Sequence, residues 1–194
     1  MLQPSDYDKF FAFGADASRG KGVYFEQIIQ TIYDIVLAPG DFCIDCGVNE
    51  MQHTLFMANA VGTSGVVLGF EAVPELAKQA QARVNQLGLT NTRIINKAVA
   101  NTCGPISFCY VPKANGYSGL KPRANIPDYA KDSISSIIVE CARLDDELAS
   151  LQQTTPPSFI KLDIEGGELD ALRGAASTLS RGQTLVIFEN GRQT

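Results

Sequence analysis

Four carboxylates have the residue type and spacing best suited to chemistry, because each comes at the end of a short apolar run. The four are Asp45, Glu71, Asp163 and Glu189. Runs of this length are typical of buried strands, and ligands of doubly wound sheets bind beyond the carboxyl ends of the strands. One such acid often only meets solvent, but four at equivalent places predict a binding site at one edge of a sheet.

The turn after the first of these runs indicates a close backbone approach to a ligand. Gly47 has no Cβ to obstruct a tight turn. Glu71 lies 24 residues after Gly47, and an acid at the end of the second strand can accept hydrogen bonds from ribose hydroxyls. The chain has no G-x-G-x-x-G sequence, the usual pyrophosphate cradle of NAD or FAD sites. The pattern therefore favours a nucleoside without phosphate groups, of which S-adenosylmethionine is the common example.

The elements that must position these residues alternate between helix-like and strand-like patterns. Helices are predicted over residues 23–37, 51–61, 74–87, 144–151 and 168–179. Strands are predicted over residues 42–46, 66–70, 94–99, 106–111, 134–142, 158–164 and 184–189. We expect residues 106–111 to form a hairpin with the strand before them, and residues 112–132 to form a long loop. The alternation predicts an α/β fold with a Rossmann-like, doubly wound, mostly parallel sheet.

Composition narrows the function classes. The 194 residues include 21 acids and 16 bases, and the net charge of −5 disfavours general binding to nucleic acids. No apolar run approaches the roughly 18 residues that a membrane helix needs, so no membrane partner is predicted. The odd number of cysteines, five, indicates a reduced, cytoplasmic protein. Cys43 and Cys46 have C-x-x-C spacing, but positions three apart on a strand face opposite sides and cannot share a metal or a disulfide.

The motifs after three predicted strands resemble those of the FkbM family of S-adenosylmethionine-dependent methyltransferases. They are residues 42–47, 70–74 and 160–168, the last reading IKLDIEGGE where the family has approximately I-K-x-D-x-E-G-x-E. The resemblance covers about residues 25–190. It implies a class I methyltransferase domain at residues 23–194 after an N-terminal extension at residues 1–22. It also implies transfer of the methyl group of S-adenosylmethionine to an oxygen of a small molecule or sugar.

Two departures from the family pattern carry expectations of their own. Val48 and Met51 stand where the family has an alanine and a glycine, so we expect their larger side chains to crowd the cofactor loop. The resemblance also implies a sheet that ends in an antiparallel hairpin. The two strands of that hairpin would follow residues 184–189, and we do not find them in this sequence. We therefore expect either a fragment or a homo-oligomer that covers the exposed sheet edge.

The resemblance also implies roles for cofactor-binding residues. It places Asp45, Gly47 and Asn49 at the methionine end of the cofactor. It also places Glu71 at the ribose, and residues 96–99, which include Ala98, near the adenine. For Asn49 the alternative is a helix cap, and for residues 96–99 it is an ordinary strand.

The catalytic candidates lie around the fourth motif. Asp163 is expected beside the methyl donor and is also counted among the cofactor-binding residues. It is our first choice as the general base, and Glu165 is the second. Lys161 lies two residues before Asp163 on the same strand face. We predict no metal, because no histidine joins these acids, and Glu168 can simply favour a helix N-terminus. His53 is a weaker candidate base, since a helix surface position explains it.

Several functions stay open on the sequence alone. The acceptor can be nitrogen or carbon instead of a hydroxyl, and the loop at residues 112–132 either covers that acceptor or is an insertion without a role. A non-catalytic cofactor-binding or scaffold module is the alternative outside the enzymes. An NAD-dependent oxidoreductase is disfavoured because it needs the glycine-rich cradle.

Overall fold

The computed structural model describes residues 24–182 and 184–188. The helices are α1 (Tyr24–Val36), α2 (Gln52–Val61), α3 (Pro74–Gln86), α4 (Leu144–Ser150), α5 (Glu168–Gly174) and α6 (Ala176–Ser180). The strands are β1 (Phe42–Cys46), β2 (Val66–Phe70), β3 (Thr92–Ile95), β4 (Ala98–Val99), β5 (Gly104–Tyr110), β6 (Ser135–Ala142), β7 (Phe159–Leu162) and β8 (Leu185–Phe188). The predicted N-terminal extension and Glu189 lie outside the described residues. None of the described helices is long and apolar enough to cross a membrane.

Five strands form a parallel sheet in the order β3-β2-β1-β7-β8. The switch in strand order falls between β1 and β7, because the chain first extends the sheet on one side and then returns to the other. Asp45 of β1 lies directly opposite Gly69 of β2 and Lys161 of β7. The predicted Rossmann-like, doubly wound α/β fold is confirmed, and its switch point brings two of the predicted site residues side by side.

Helices cover both faces of this sheet, as its two-residue side-chain alternation requires. Ile44 and Cys46 face a core that α4 and α5 complete, with Leu144 and Ala171 among its members. Cys43 faces the opposite core, which α1 and α2 complete. The two cysteines of the C-x-x-C spacing therefore lie on opposite faces, as predicted, and both are free thiols.

A second, three-stranded sheet in the order β4-β6-β5 corrects two of our predictions. Residues 94–99 are not one strand, because the chain leaves the main sheet after Ile95 and enters the second sheet at Ala98. Asn96 stabilises this break by donating hydrogen bonds to the carbonyl oxygens of Glu71 and Ala72, at 2.8 and 3.0 Å. In addition, β5 pairs antiparallel with β6 and not with the strand before it. A strand-like pattern identifies a strand but not its partner.

The predicted helix over residues 168–179 is divided at Ala175 into α5 and α6. Gly174 lies so close to the main chain that an added Cβ would be 2.0 Å from the carbonyl oxygen of Ala100. Asp145 then caps the new helix, since it accepts hydrogen bonds from the amides of Ser177 and Thr178 and from the Thr178 hydroxyl. Burial opposes ionisation, but these hydrogen bonds and the nearby arginine keep the pKa of Asp145 below its ordinary value.

Candidate active site

A buried charged triad lies at the switch point between β1 and β7. The Lys161 ammonium nitrogen lies 3.5 Å from Asp45 Oδ1 and 3.3 Å from Asp163 Oδ2. Asp45 also accepts a 2.6 Å hydrogen bond from the hydroxyl of Thr54. Burial lowers the pKa of Lys161, but the two carboxylates outweigh it and raise the pKa above its ordinary value. Two carboxylates and one ammonium leave a net negative charge at this point.

The triad is exposed to solvent at one end only. Asp45 and Lys161 are buried, whereas the side chain of Asp163 is 36% exposed. Asp163 follows the end of β7 and lines the cleft described below, and Lys161 lies behind it on the same strand face. Asp163 is therefore the member of the triad that a bound molecule can reach.

Gly47 makes the close backbone approach that its position predicts, although the backbone it meets belongs to this chain. It has a φ of +90°, and an added Cβ would lie 1.9 Å from the carbonyl oxygen of Asp163. Its amide donates a 2.9 Å hydrogen bond to the carbonyl of Phe70. The ends of β1, β2 and β7 are thereby drawn together, and only glycine fits at their meeting point.

Glu71 is held in a fixed orientation at the end of β2. Its two carboxylate oxygens accept hydrogen bonds from the amides of Asn49 and Val73, each at 2.9 Å. Burial is the largest influence and raises the pKa of Glu71, and the nearby charge of Asp45 adds to it, against the opposing effect of these hydrogen bonds. Each oxygen keeps a second lone pair, so the carboxylate can still accept from a ligand.

The loop after β1 places Asn49 in the cleft and keeps Val48 and Met51 out of it. The side chains of Val48 and Met51 are buried against Ala80 and Val84 of α3. Our expectation that they crowd the cofactor loop is therefore wrong, because both side chains are buried in this core and neither lines the cleft. Asn49 is not the cap of α2 either, since Met51 occupies the N-cap position.

These residues share one cleft, which encloses about 700 Å³ including its open mouth. Its predicted members are Gly47, Asn49, Glu71, Ala98, Asp163 and Glu165. Other lining residues belong to segments that the sequence had marked, but they had no assigned role: Phe70, Ala72, Val73 and Ile164 in the motifs, Lys97 and Val99 in the segment predicted near the adenine, and Asn115, Gly116, Ser118 and Leu120 in the long loop. Leu76 and Phe108 were not singled out at all. The predicted long loop was the signal that could have found Asn115, Ser118 and Leu120, because long loops in compact domains are often functional.

The other predicted acids have partners within the protein. Glu165 forms an ion pair with Arg123 and adopts a φ of +58°. Glu168 accepts a 3.0 Å hydrogen bond from the amide of Gly166 and so closes the turn after β7. In the part of the chain that the structure describes, no three side chains of Asp, Glu, His or Cys are arranged to hold a metal ion.

His53 lies on α2, where its side chain contacts Tyr33. Its Nδ1 is 3.0 Å from the hydroxyl of Tyr33, and the two rings meet edge to face. His53 is not among the residues that line the cleft.

The segment between β5 and β6 forms the outer wall of the cleft. Gly119 exchanges two backbone hydrogen bonds with Cys109, at 2.9 and 3.0 Å. It also packs on the turn after β7, where an added Cβ would lie 2.8 Å from the carbonyl oxygen of Glu165. Arg123 adds the ion pair to Glu165 and lies 5.9 Å from the centre of the Tyr117 ring. The wall is therefore fastened to the segment that carries Asp163.

Comparison with known proteins first defines the class. The solved structure of a methyltransferase FkbM from Methylobacillus flagellatus KT has the same fold, with a TM-score of 0.53 and 14% identity over 93% of this chain and 48% of that chain. The family model for the methyltransferase FkbM domain matches residues 45–194. The chain thus belongs to the FkbM methyltransferase family, a class whose cofactor is S-adenosylmethionine, and the predicted family is confirmed.

Two curated relatives extend the comparison. Methyltransferase 1 of Beauveria bassiana is 23% identical over 193 residues, which cover 89% of this chain and 74% of that protein. The protein-L-isoaspartate O-methyltransferase of Methanococcus aeolicus is 36% identical over 77 residues, which cover 39% of this chain and 36% of that protein. The chain therefore spans about half the length of the solved relative and about a third of this second curated one.

Proposed function

We propose that this domain binds S-adenosylmethionine in the cleft and transfers its methyl group to a hydroxyl oxygen of a small molecule or sugar. The observation that carries the proposal is the meeting of Gly47, Glu71 and Asp163 in one cleft at the carboxyl ends of three parallel strands. This is where open α/β sheets bind their ligands. Membership of the FkbM methyltransferase family supports the same reaction class.

The residues present suit the parts of this cofactor. Asp163, with Asp45 behind it, offers negative charge to the positively charged sulfonium and amino groups. Asn49 and the spare lone pairs of Glu71 offer hydrogen bonds to the methionine end and to the ribose hydroxyls. Ala98, with apolar neighbours in the cleft, suits the adenine ring. When bound, the cofactor supplies an electrophilic methyl group.

Asp163 is the proposed general base. It is the exposed carboxylate of the triad, so it can accept the hydroxyl proton of an acceptor that enters the cleft. Lys161 acts as a positioning residue, because its ammonium is within 3.3 Å and holds the Asp163 side chain at the end of β7. Glu165 is less suitable as a base, since its carboxylate is already paired with Arg123. The remaining contribution of the protein is alignment of donor and acceptor.

Two measurements test this proposal. Titration calorimetry with S-adenosylmethionine should give a micromolar dissociation constant, and no binding by the folded protein would contradict the proposal. Labelled methyl transfer is then measured with a panel of hydroxyl compounds, sugars and amines. Transfer to hydroxyl compounds supports the proposed acceptor class, whereas transfer only to amines contradicts it. Binding without transfer to any of them would favour the non-catalytic module.

Association through the edge of the main sheet stays a prediction. Among the described strands β8 pairs only with β7, and its Leu185 and Phe188 side chains are 43% and 51% exposed. Open apolar edges promote pairing with other chains. Light scattering over a concentration series should show growth beyond the monomer mass, and Phe188→Lys should suppress it. A monomer at every concentration would contradict this prediction.

A further inference from the structure

One buried polar atom in the cleft has no partner. The side-chain oxygen Oδ1 of Asn115 is shielded from solvent, and no donor among the described residues reaches it. Asn115 lies in the 3₁₀ turn Pro112–Tyr117 and lines the same cleft as Glu71 and Asp163. Because a buried acceptor without a hydrogen bond is unfavourable, this atom indicates a donor that arrives with the ligand.

The protein holds Asn115 in place from both sides. The main-chain carbonyl oxygen of Asn115 accepts a 3.0 Å hydrogen bond from the amide of Ser118. The Ser118 hydroxyl in turn accepts a hydrogen bond from the amide of Val111, also at 3.0 Å. Further along the wall, the pairing of Gly119 with Cys109 and the ion pair of Arg123 fix the segment against the protein. The backbone that carries Asn115 is therefore fixed before a ligand binds, which favours selective recognition.

The surroundings favour a flat, apolar ring as the group beside this oxygen. The cleft is lined by Val73, Ala98 and Phe108, which form one apolar cluster with Leu76 and Leu120. Leu120 comes from the same wall segment as Asn115. Adenine is such a ring, and its exocyclic amine is the one N–H donor on the base. The other donors of the cofactor have partners elsewhere, since Glu71 suits the ribose hydroxyls and Asp163 suits the charged amino group.

We propose that Asn115 Oδ1 accepts a hydrogen bond from the exocyclic amine of the adenine and makes the site selective for adenine over hypoxanthine. The inference rests on the proposed function and assigns this specificity to a residue outside the family motifs. Hypoxanthine carries a carbonyl oxygen where adenine carries the amine, so two acceptors would then face each other. A site built to bond a donor strongly rejects an analogue that lacks it.

The experiment compares S-adenosylhomocysteine with S-inosylhomocysteine, the same compound with hypoxanthine in place of adenine. Dissociation constants are measured by calorimetry for the wild type, Asn115→Leu and Asn115→Asp. The wild type should bind the adenine compound at least about tenfold more tightly. Asn115→Leu should reduce this ratio to about one by weakening only the adenine compound, whereas Asn115→Asp keeps an oxygen acceptor and should keep the preference. Asn85→Leu, in an exposed pair with Gln81 on α3, is the control and should keep the wild-type ratio.

The possible results separate the inference from the proposed function. If the wild type binds both compounds equally, the inference is overturned while the proposed function stands, and this result does not depend on any variant folding. If Asn115→Leu melts like the wild type and keeps its preference, Asn115 does not contact the amine and the inference is again overturned. If the folded wild type binds neither compound, the proposed function fails and the inference falls with it.

Discussion

The two walls of the cleft are built in different ways. The inner wall consists of strand ends whose spacing follows from sheet register, with Asp45 opposite Lys161 and Gly47 in contact with Asp163. The outer wall is the segment between β5 and β6, which a few polar contacts, such as the ion pair of Arg123 with Glu165, fasten to the inner wall. A parallel sheet thus positions the groups proposed for chemistry, and an irregular segment supplies the groups proposed for selection.

The largest expected difference between the walls is in stability. Lys161→Met should lower the free energy of unfolding by about 3–5 kcal/mol, because it leaves Asp45 buried without a counter-charge. Urea denaturation measures this. Lys113→Met, which removes an exposed ion pair of the outer wall with Asp132, is the matched control and should change stability little. If the two substitutions lowered the free energy of unfolding equally, the two walls would not differ in the stability that their ion pairs contribute.

The stability supplied by Lys161 should also depend on pH with a definite sign. The folded-state pKa lies above the ordinary value of 10.5, so the contribution is complete below pH 10.5 and is lost as pH rises through the folded-state pKa. Denaturation curves of the wild type should therefore lose stability in that alkaline range. Lys161→Met should lack this loss, and a parallel decline in both proteins would contradict the assignment.

The next effect concerns turnover at the inner wall. Asp163→Asn keeps the shape of the side chain and removes the proton acceptor, so the methyl-transfer rate should fall at least about a hundredfold while cofactor affinity falls only a few-fold. Glu165→Gln should lower the rate much less, because Arg123 already occupies that carboxylate. A titration beside a transfer assay on each variant distinguishes the roles. If affinity and rate fall together in Asp163→Asn, the carboxylate holds the amino group of the cofactor instead.

A smaller effect is expected for cofactor binding at Glu71. Glu71→Ala should weaken S-adenosylmethionine about tenfold or more, since a hydrogen bond to a charged group contributes roughly 1.5–3 kcal/mol. The pKa of Glu71 is raised above 4.5 by burial, so wild-type affinity should decline with falling pH already above pH 4.5. Calorimetry at several pH values measures both. An unchanged dissociation constant in a folded Glu71→Ala protein would exclude this contact.

The smallest effect tests how the outer wall is fastened. Arg123→Gln should speed amide hydrogen exchange over residues 112–127 and weaken the cofactor only a few-fold, because local opening is governed by local contacts. The melting temperature should change little. Lys131→Gln, which removes the exposed pair with Asp128, serves as the control and should leave exchange unchanged. If exchange speeds up across β1 and β7 as well, the two walls are one cooperative unit.

Most strands were predictable because each is a short apolar run with a clear end. The strands at residues 42–46 and 66–70 agree with the prediction residue for residue. The prediction failed where contacts distant in the sequence decide the outcome. The division of residues 168–179 depends on the contact of Gly174 with Ala100 and on the cap that Asp145 supplies. Neither contact leaves a periodic signal in the chain.

By itself, the sequence determined the family, the fold class and the acids at the strand ends, because local apolar patterns and short motifs encode them. Only the tertiary structure decided what those acids face. It showed that Lys161 lies between Asp45 and Asp163, that Arg123 pairs with Glu165, and that Asn115, which lines the cleft, has a buried side-chain oxygen without a partner among the described residues. These facts depend on strand register and on how a long loop packs, and both are set by contacts between segments far apart in the chain.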